Sequence, residues 1–302
     1  MNNTNVKKRP FLIENEITKL IDQHKCIRVL ESHSFLSASV AANAVISNNH
    51  STNEKYHALW SSSLTDSTVD GLPDIEILPL PNRIAKARDI ANKVCLPLII
   101  DADTGGHPEH FKIHVREMEL SHLSAVIIED KEGLKKNSLL GNDIFQIQSS
   151  AEDFCKKITA GVETRRQRDL LIIARIESLI LQQGMDDALS RASAYLKAGA
   201  DGIMIHSRQK TPDEILEFAA RFRSKYPTEI LVCVPTSFNE ITFQDLKAAG
   251  FNIVIYANHM LRASYAAMLS VAQDILMYGR TKEIESKCVN VDTILKMIPG
   301  TI

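Results

Sequence analysis

Three carboxylates stand where oxygen-ligand chemistry could be done. Asp101 and Asp103 form a D-x-D followed by Thr104-Gly105-Gly106, and Glu129 opens the run Glu129-Asp130-Lys131. Each group directly follows a short apolar run. A hard divalent cation such as Mg²⁺ takes oxygen ligands, keeps several waters, and is usually held by one or two carboxylates plus the substrate's own oxygens. A single Asp in such a place would read as a helix N-cap, but a D-x-D beside a neighbouring E-D-K reads as a metal site. Arg175 lies inside an apolar run, where an unpaired guanidinium is costly. It requires an anion, either Glu177 or a substrate phosphoryl or carboxylate group. His206 closes another apolar run and reads equally as a buried core histidine or as a ligand.

The elements that must position these side chains are short, β-branched and apolar along their whole length. The expected strands are Cys26–Leu30, His57–Ser61, Leu96–Asp101, Ala125–Asp130, Leu170–Ile176, Gly202–His206, Ile230–Pro235 and Asn252–Ala257. Continuous apolar runs of this kind mark parallel strands buried on both faces. Amphipathic helical patterns fall between them, such as Asp186–Ala198, Pro212–Lys225 and Phe243–Ala249. Gly199 and Gly250 each stand where a helix ends and a strand begins, the local grammar of a β/α unit. This alternation predicts an α/β chain folded as a (β/α)₈ TIM barrel, in which strand C-terminal ends build the active site. No G-x-G-x-x-G follows the first strand and no G-x-x-x-x-G-K-[ST] occurs, so dinucleotide and P-loop readings lose their support. We expect one domain over 1–302, with an N-terminal extension over about 1–22 and C-terminal helices over about 260–302. Within the latter, Met260–Ile275 and Ile284–Ile298 are the expected helices.

The 302 residues are 44% hydrophobic and 24% charged with a net charge of −2, which gives no electrostatic footprint for nucleic acid or an anionic membrane. Lys7-Lys8-Arg9 reads as a solvated tail. The 5 cysteines are dispersed without a CxxC pair and are read as small core residues, not zinc ligands or disulfides. There is no basic n-region with an apolar stretch, and no apolar run approaches the roughly 20 residues of a membrane span. The sequence predicts a soluble, cytoplasmic protein acting on a small molecule.

The motifs resemble those of one family, in order and in register from about residue 27 to the end of the barrel. They are Glu31-Ser32-His33 with Leu36-Ser37-Ala38, Trp60, Asp101 to Gly106, Glu129-Asp130-Lys131 and Lys135-Lys136-Asn137-Ser138. The series continues through Ala174-Arg175-Ile176-Glu177, Ala198-Gly199-Ala200-Asp201, His206-Ser207, Ala257-Asn258-His259 and Leu261-Arg262-Ala263-Ser264. Together they resemble the phosphoenolpyruvate mutase/isocitrate lyase superfamily. The resemblance implies Mg²⁺ carried by Asp101, with Asp103 and Glu129 acting largely through water. It implies a substrate carboxylate held by amides around Ser62, Ser63 and Leu64, a pocket walled by Trp60, and His206 helping to hold the substrate. Arg175, Asn137, Ser138 and Lys135 would surround a phosphoryl group whose transfer Asp74 mediates. By sequence alone Asp74 reads as a turn residue after Pro73; only the family register gives it a role. Similar barrels exchange a terminal helix between neighbours, which implies a homodimer or homotetramer.

Within the superfamily, lyases typically carry a cysteine on the loop after the fourth strand. None occurs between Glu129 and Ser149, so a simple lyase is disfavoured. The remaining readings are phosphoenolpyruvate mutase, phosphonopyruvate hydrolase, and an inactive barrel that binds a phosphorylated carboxylate. His206 to Ile215 resembles the hydrolases, whereas Asn137 resembles the mutases, in which hydrolases tend to have Thr. An amide there can help exclude water, and the mutase is the favoured expectation. Three features depart from the mutase pattern: Ser61-Ser62-Ser63 in place of Gly-Ser-Gly, Lys131 to Lys135 without an aromatic-Pro, and Leu139 to Asn142 after Asn137-Ser138.

Overall fold

The structure, a computed structural model, describes residues 16–47, 53–166, 170–298 and 300. Eight parallel strands close into a barrel: β1 (Ile27–Glu31), β2 (Ala58–Ser61), β3 (Leu98–Asp101), β4 (Ala125–Glu129), β5 (Leu171–Ile176), β6 (Gly202–Ile205), β7 (Ile230–Cys233) and β8 (Ile253–Tyr256). Each pairs with its sequence neighbour, and β1 closes the ring against β8 and β2. All eight expected strands are present; the first is shifted by one residue, to Ile27–Glu31, and the others are trimmed by one or two residues. The (β/α)₈ barrel is therefore the fold.

The strands are buried along their length, and the residues that face the barrel's inner core recur with a period of two, as the pleat requires. Ile27 and Val29, Ala125 and Ile127, Leu171 and Ile173, and Ile253 and Ile255 all belong to one buried core cluster. The next step in the same sense leads from Ile99 to Asp101, from Ile127 to Glu129, from Ile173 to Arg175 and from Met204 to His206. The polar side chains thus take the place of the apolar ones at the C-terminal mouth. At the other end, Ile17 of the helix Glu16–His24 joins the same cluster. Through Ile17, this helix takes part in the barrel's packing; the rest of the expected N-terminal extension, residues 1–15 with Lys7 to Arg9, lies outside the described residues.

Helices Leu80–Ala91, Pro108–Leu120, Ala151–Thr164, Met185–Lys197, Asp213–Lys225 and Phe243–Ala248 connect successive strands. A small antiparallel hairpin, Val45–Ser47 with Asn53–Lys55, is a further element that the sequence pattern did not announce. The chain divides into two compact units, Met1–Asn258 and His259–Ile302. In the second, the expected helix over 260–275 runs over His259–Tyr278. The helix expected over 284–298 is instead two short pieces, a 3₁₀ turn Lys282–Lys287 and a helix Val291–Met297. The break falls at Asn290, whose side chain caps the second piece by accepting the Asp292 N–H. The cysteines are also only partly as expected: Cys26 and Cys233 are buried, but Cys95 and Cys288 are exposed and Cys155 is half-buried. Among the described residues no helix is long and apolar enough to cross a membrane.

Candidate active site

A cavity of about 60 Å³ opens at the C-terminal mouth of the barrel. Its walls include Trp60, Ser62, Ser63, Leu64, Asp74, Asp101, Lys135, Asn137, Ser138, Arg175 and His206, all expected from sequence. Leu139, Met204, Val234, Thr236, Ala257 and Asn258 complete the lining. Asp103 and Glu129 do not line it but lie beside it, buried.

The acids are tied to cations from two sides. Asp101 Oδ1 accepts the Asp103 N–H at 3.0 Å, and its Oδ2 accepts the Ser63 hydroxyl at 3.2 Å. Lys135 Nζ donates to Ser63 Oγ at 2.7 Å and lies 2.9 Å from Asp103 Oδ1 and 3.1 Å from Asp74 Oδ1. Burial pushes the Asp101 carboxyl upward, but the charges of Lys135 and Arg83 overcome it and hold the group below its usual value. Glu129 is the opposite case: burial dominates and raises it, despite Lys131 and Arg175 nearby. Among the described residues no three His, Cys, Asp or Glu side chains are grouped to hold a metal alone. Both oxygens of Glu129 and Oδ1 of Asp103 are buried and make no well-directed hydrogen bond; their partners are ion-pair contacts, Lys131 and Arg175 for Glu129 and Lys135 at 2.9 Å for Asp103. Buried carboxylate oxygens of this kind suit a Mg²⁺ held by few protein atoms and completed by water and substrate.

A second network surrounds Arg175. The β4/β5 register sets Glu129 opposite Arg175, and Arg175 Nη1 lies 3.3 Å from Glu129 Oε2. Arg175 Nε donates to Glu177 Oε1 at 2.6 Å, and Nη2 reaches Ser138 Oγ at 2.6 Å and His206 Nδ1 at 2.8 Å. Of the two anions open to Arg175 on sequence grounds, Glu177 is thus one in fact. Glu177 is fully buried, yet Arg175 and Lys131 hold its carboxyl well below the usual range. Burial, followed by the Arg175 charge, lowers His206. A neutral imidazole is the form that accepts from Arg175 at Nδ1, which leaves Nε2 carrying its proton.

Asp74 sits in the irregular stretch after the helix Ser63–Val69. Asn137 Nδ2 donates to its Oδ2 at 2.7 Å. The segment bearing Lys135, Asn137 and Ser138 therefore covers the cavity and binds Asp74, Asp103 and Glu177 at once. Ser62 is the N-cap of Ser63–Val69 but makes no side-chain cap bond, so the first amides of that turn have no competing side-chain acceptor from the cap. Ser61 points elsewhere, donating to Asp66 Oδ2 at 2.7 Å.

Arg83 was missed by motif reading. It is fully buried, donating from Nε to Asp66 Oδ2 at 3.1 Å and from Nη1 to Asp103 Oδ2 at 2.9 Å. Its signal was present: Arg83, Ala87 and Ile90 share one buried stripe of the helix Leu80–Ala91, so a charge stood on the apolar face. Lys131 was likewise read only as part of a motif, yet its buried Nζ donates to Ser138 Oγ at 2.7 Å and lies 3.0 Å from Glu177 Oε2.

Comparison with known proteins places this geometry in context. The family model described as phosphoenolpyruvate phosphomutase matches residues 17–276. A phosphonopyruvate hydrolase of Variovorax sp. (strain Pal2) is 36% identical over 279 residues, covering 92% of this chain and 91% of the relative. The crystal structure of a phosphoenolpyruvate phosphomutase from Streptomyces platensis subsp. rosaceus superposes with a TM-score of 0.85 at 34% identity, covering 93% of each chain. A phosphonopyruvate hydrolase solved with oxalate and Mg²⁺ superposes with a TM-score of 0.82 at 32% identity, covering 94% of this chain and 95% of that one.

Proposed function

This chain belongs to the phosphoenolpyruvate phosphomutase family, and from that premise we propose that it is a Mg²⁺-dependent phosphoenolpyruvate mutase. It interconverts 3-phosphonopyruvate and phosphoenolpyruvate. The observation that carries this reading is the Asn137 amide seated on Asp74 Oδ2 at 2.7 Å, inside a segment that lines the cavity. A mutase must keep a phosphoryl group from water while the group moves between two atoms of one substrate.

In the forward direction the C–P bond of phosphonopyruvate breaks and its electron pair remains on the pyruvate enolate. The phosphoryl group passes to or along the Asp74 carboxylate, and the enolate oxygen then takes it to form the P–O bond. The reaction is an isomerisation, so no proton is gained or lost. Asp101, with Asp103 and Glu129 through water, would hold Mg²⁺, which supplies positive charge beside the enolate and carboxylate. Amides around Ser62, Ser63 and Leu64 bind the substrate carboxylate, and Trp60 packs beside it. Arg175, already oriented by Glu177, joins Lys135, Asn137 and Ser138 around the phosphoryl oxygens, where positioning and charge do most of the catalysis. Neutral His206 donates from Nε2 to the substrate. The assembly is a homo-oligomer.

The second reading is phosphonopyruvate hydrolase, which the likeness to the Variovorax enzyme favours. ³¹P NMR of the protein with phosphonopyruvate and Mg²⁺, with an EDTA control, separates the two. A metal-dependent phosphoenolpyruvate signal is the expected result. Inorganic phosphate without phosphoenolpyruvate would replace the mutase by the hydrolase, and no turnover would leave the barrel as a binder of phosphorylated carboxylates.

A further inference from the structure

Glu76 lies two residues beyond Asp74 with φ at 61°, a left-handed backbone that non-glycine residues seldom adopt. Its side chain turns to the loop after β3. Thr104 Oγ1 donates to Glu76 Oε1 at 2.6 Å and itself accepts the Gly106 N–H at 3.2 Å, while Lys157 Nζ donates to the Thr104 carbonyl at 2.5 Å. Thr104 immediately follows Asp103. A single side-chain bond thus ties the loop that carries Asp74 to the loop that carries Asp101 and Asp103.

This bond differs in kind from those Asp74 itself makes. Lys135 and Asn137, which hold Asp74, both belong to the segment covering the cavity. The Glu76–Thr104 bond depends on neither. The two residues also face different spaces: Asp74 lines the 60 Å³ cavity, whereas Glu76 and Thr104 line a second one of about 620 Å³. Residues 74–76 therefore run from the lining of one cavity to the lining of the other. Phosphoryl transfer depends on in-line placement, and misplacement of a group by 1 Å costs about a hundredfold.

We infer that Glu76 is a positioning residue for the proposed reaction: through Thr104 it fixes Asp74 relative to the metal acids. The inference rests on the reading of Asp74 as the phosphoryl-handling group. Glu76→Ala is expected to lower kcat about tenfold to a hundredfold, with KM for phosphonopyruvate and the Mg²⁺ midpoint changed by less than about threefold. Inorganic phosphate should make up a larger share of the product than in the wild type. Glu76→Gln keeps an acceptor oxygen for the Thr104 hydroxyl and should restore kcat to within about threefold. Thr104→Val should reproduce the Ala variant, and the double variant should be no worse than either single one, because both remove one bond. Unchanged kcat in Glu76→Ala, or losses that multiply in the double variant, would overturn the proposal. Hydrogen exchange of the amides of residues 74–77, measured with Mg²⁺ and oxalate, must also quicken in Glu76→Ala. If it does not, the brace is refuted whatever the activity. If the wild type turns over no phosphonopyruvate while exchange does quicken, the reading of the reaction fails and the brace stands.

Discussion

In the proposed reaction Asp74 is the residue that handles the phosphoryl group, and little of what would position it is local. It has no regular element to hold it and takes its orientation from Lys135 and Asn137. Asp74→Ala is expected to abolish turnover, by more than about a thousandfold, while leaving the thermal stabilisation by Mg²⁺ intact. Retained activity would remove Asp74 from the mechanism. Arg83 makes the complementary case, a residue that holds the site without touching the cavity. Replacing it by Met would leave Asp66 and Asp103 buried without their guanidinium partner, which should cost about 3 to 5 kcal/mol in denaturant unfolding. A loss under 1 kcal/mol would show that the two acids are neutralised by other means. The two residues were unequally legible. The acids, Arg175 and His206 stood out because polar groups close apolar strands, but Asp74 needed the family register. Arg83 was hidden among turn and helix residues until its stripe was examined.

The strands were legible because a parallel strand buried on both faces writes a continuous apolar run, and the runs of β3 to β6 led into the polar groups that the pleat then aims inward. The hairpin Val45–Ser47 with Asn53–Lys55 was not, since its strands are only three residues long and the first is exposed throughout, so no burial pattern marks it. At the opposite end of the barrel, His57 joins β1 and β2: its ring accepts the Arg28 N–H at 3.2 Å. Burial first, then the cationic neighbours His24, Arg28 and Lys55, pushes it from 6.5 down to about 4. Because the folded value lies below the unfolded one, the neutral ring favours folding fully above pH 6.5 and that contribution is lost as pH falls toward 4. His57→Gln, which keeps an acceptor, should lose on the order of 2 kcal/mol less stability than wild type between pH 7 and pH 4.5. Parallel losses in urea titrations would assign the acid sensitivity elsewhere. Strand β6 carries another exacting position. A Cβ on Gly202 would lie 2.8 Å from Ile230 Cβ and 3.0 Å from its carbonyl oxygen, so Gly202→Ala must push β6 from β7. About 1 to 3 kcal/mol of destabilisation is expected, read as a lower urea midpoint.

At the scale of the molecule, the barrel unit is complete in its own packing, with strands buried along their length and Ile17 closing the lower core. The second unit is the reverse. The 20-residue helix His259–Tyr278 has no buried residue, although Tyr265, Met268, Leu276, Met277 and Tyr278 are among its side chains and Leu276 is 85% exposed. A helix about 30 Å long with this composition leaves more apolar surface in water than a monomer ordinarily tolerates. The following helix Val291–Met297 adds exposed Val291, Ile294 and Leu295. A second copy of the same chain is the partner expected to cover this face, the commonest route by which soluble proteins bury such surfaces. The expected mass in solution is therefore that of a dimer or tetramer, with a melting temperature that rises with protein concentration. Introducing Leu269→Glu with Leu276→Glu should shift light-scattering mass toward the monomer and abolish the concentration dependence, because each charge would have to be buried unpaired in the contact. A wild-type chain that remains monomeric at tens of micromolar would instead mean that the apolar helix is covered without a second copy.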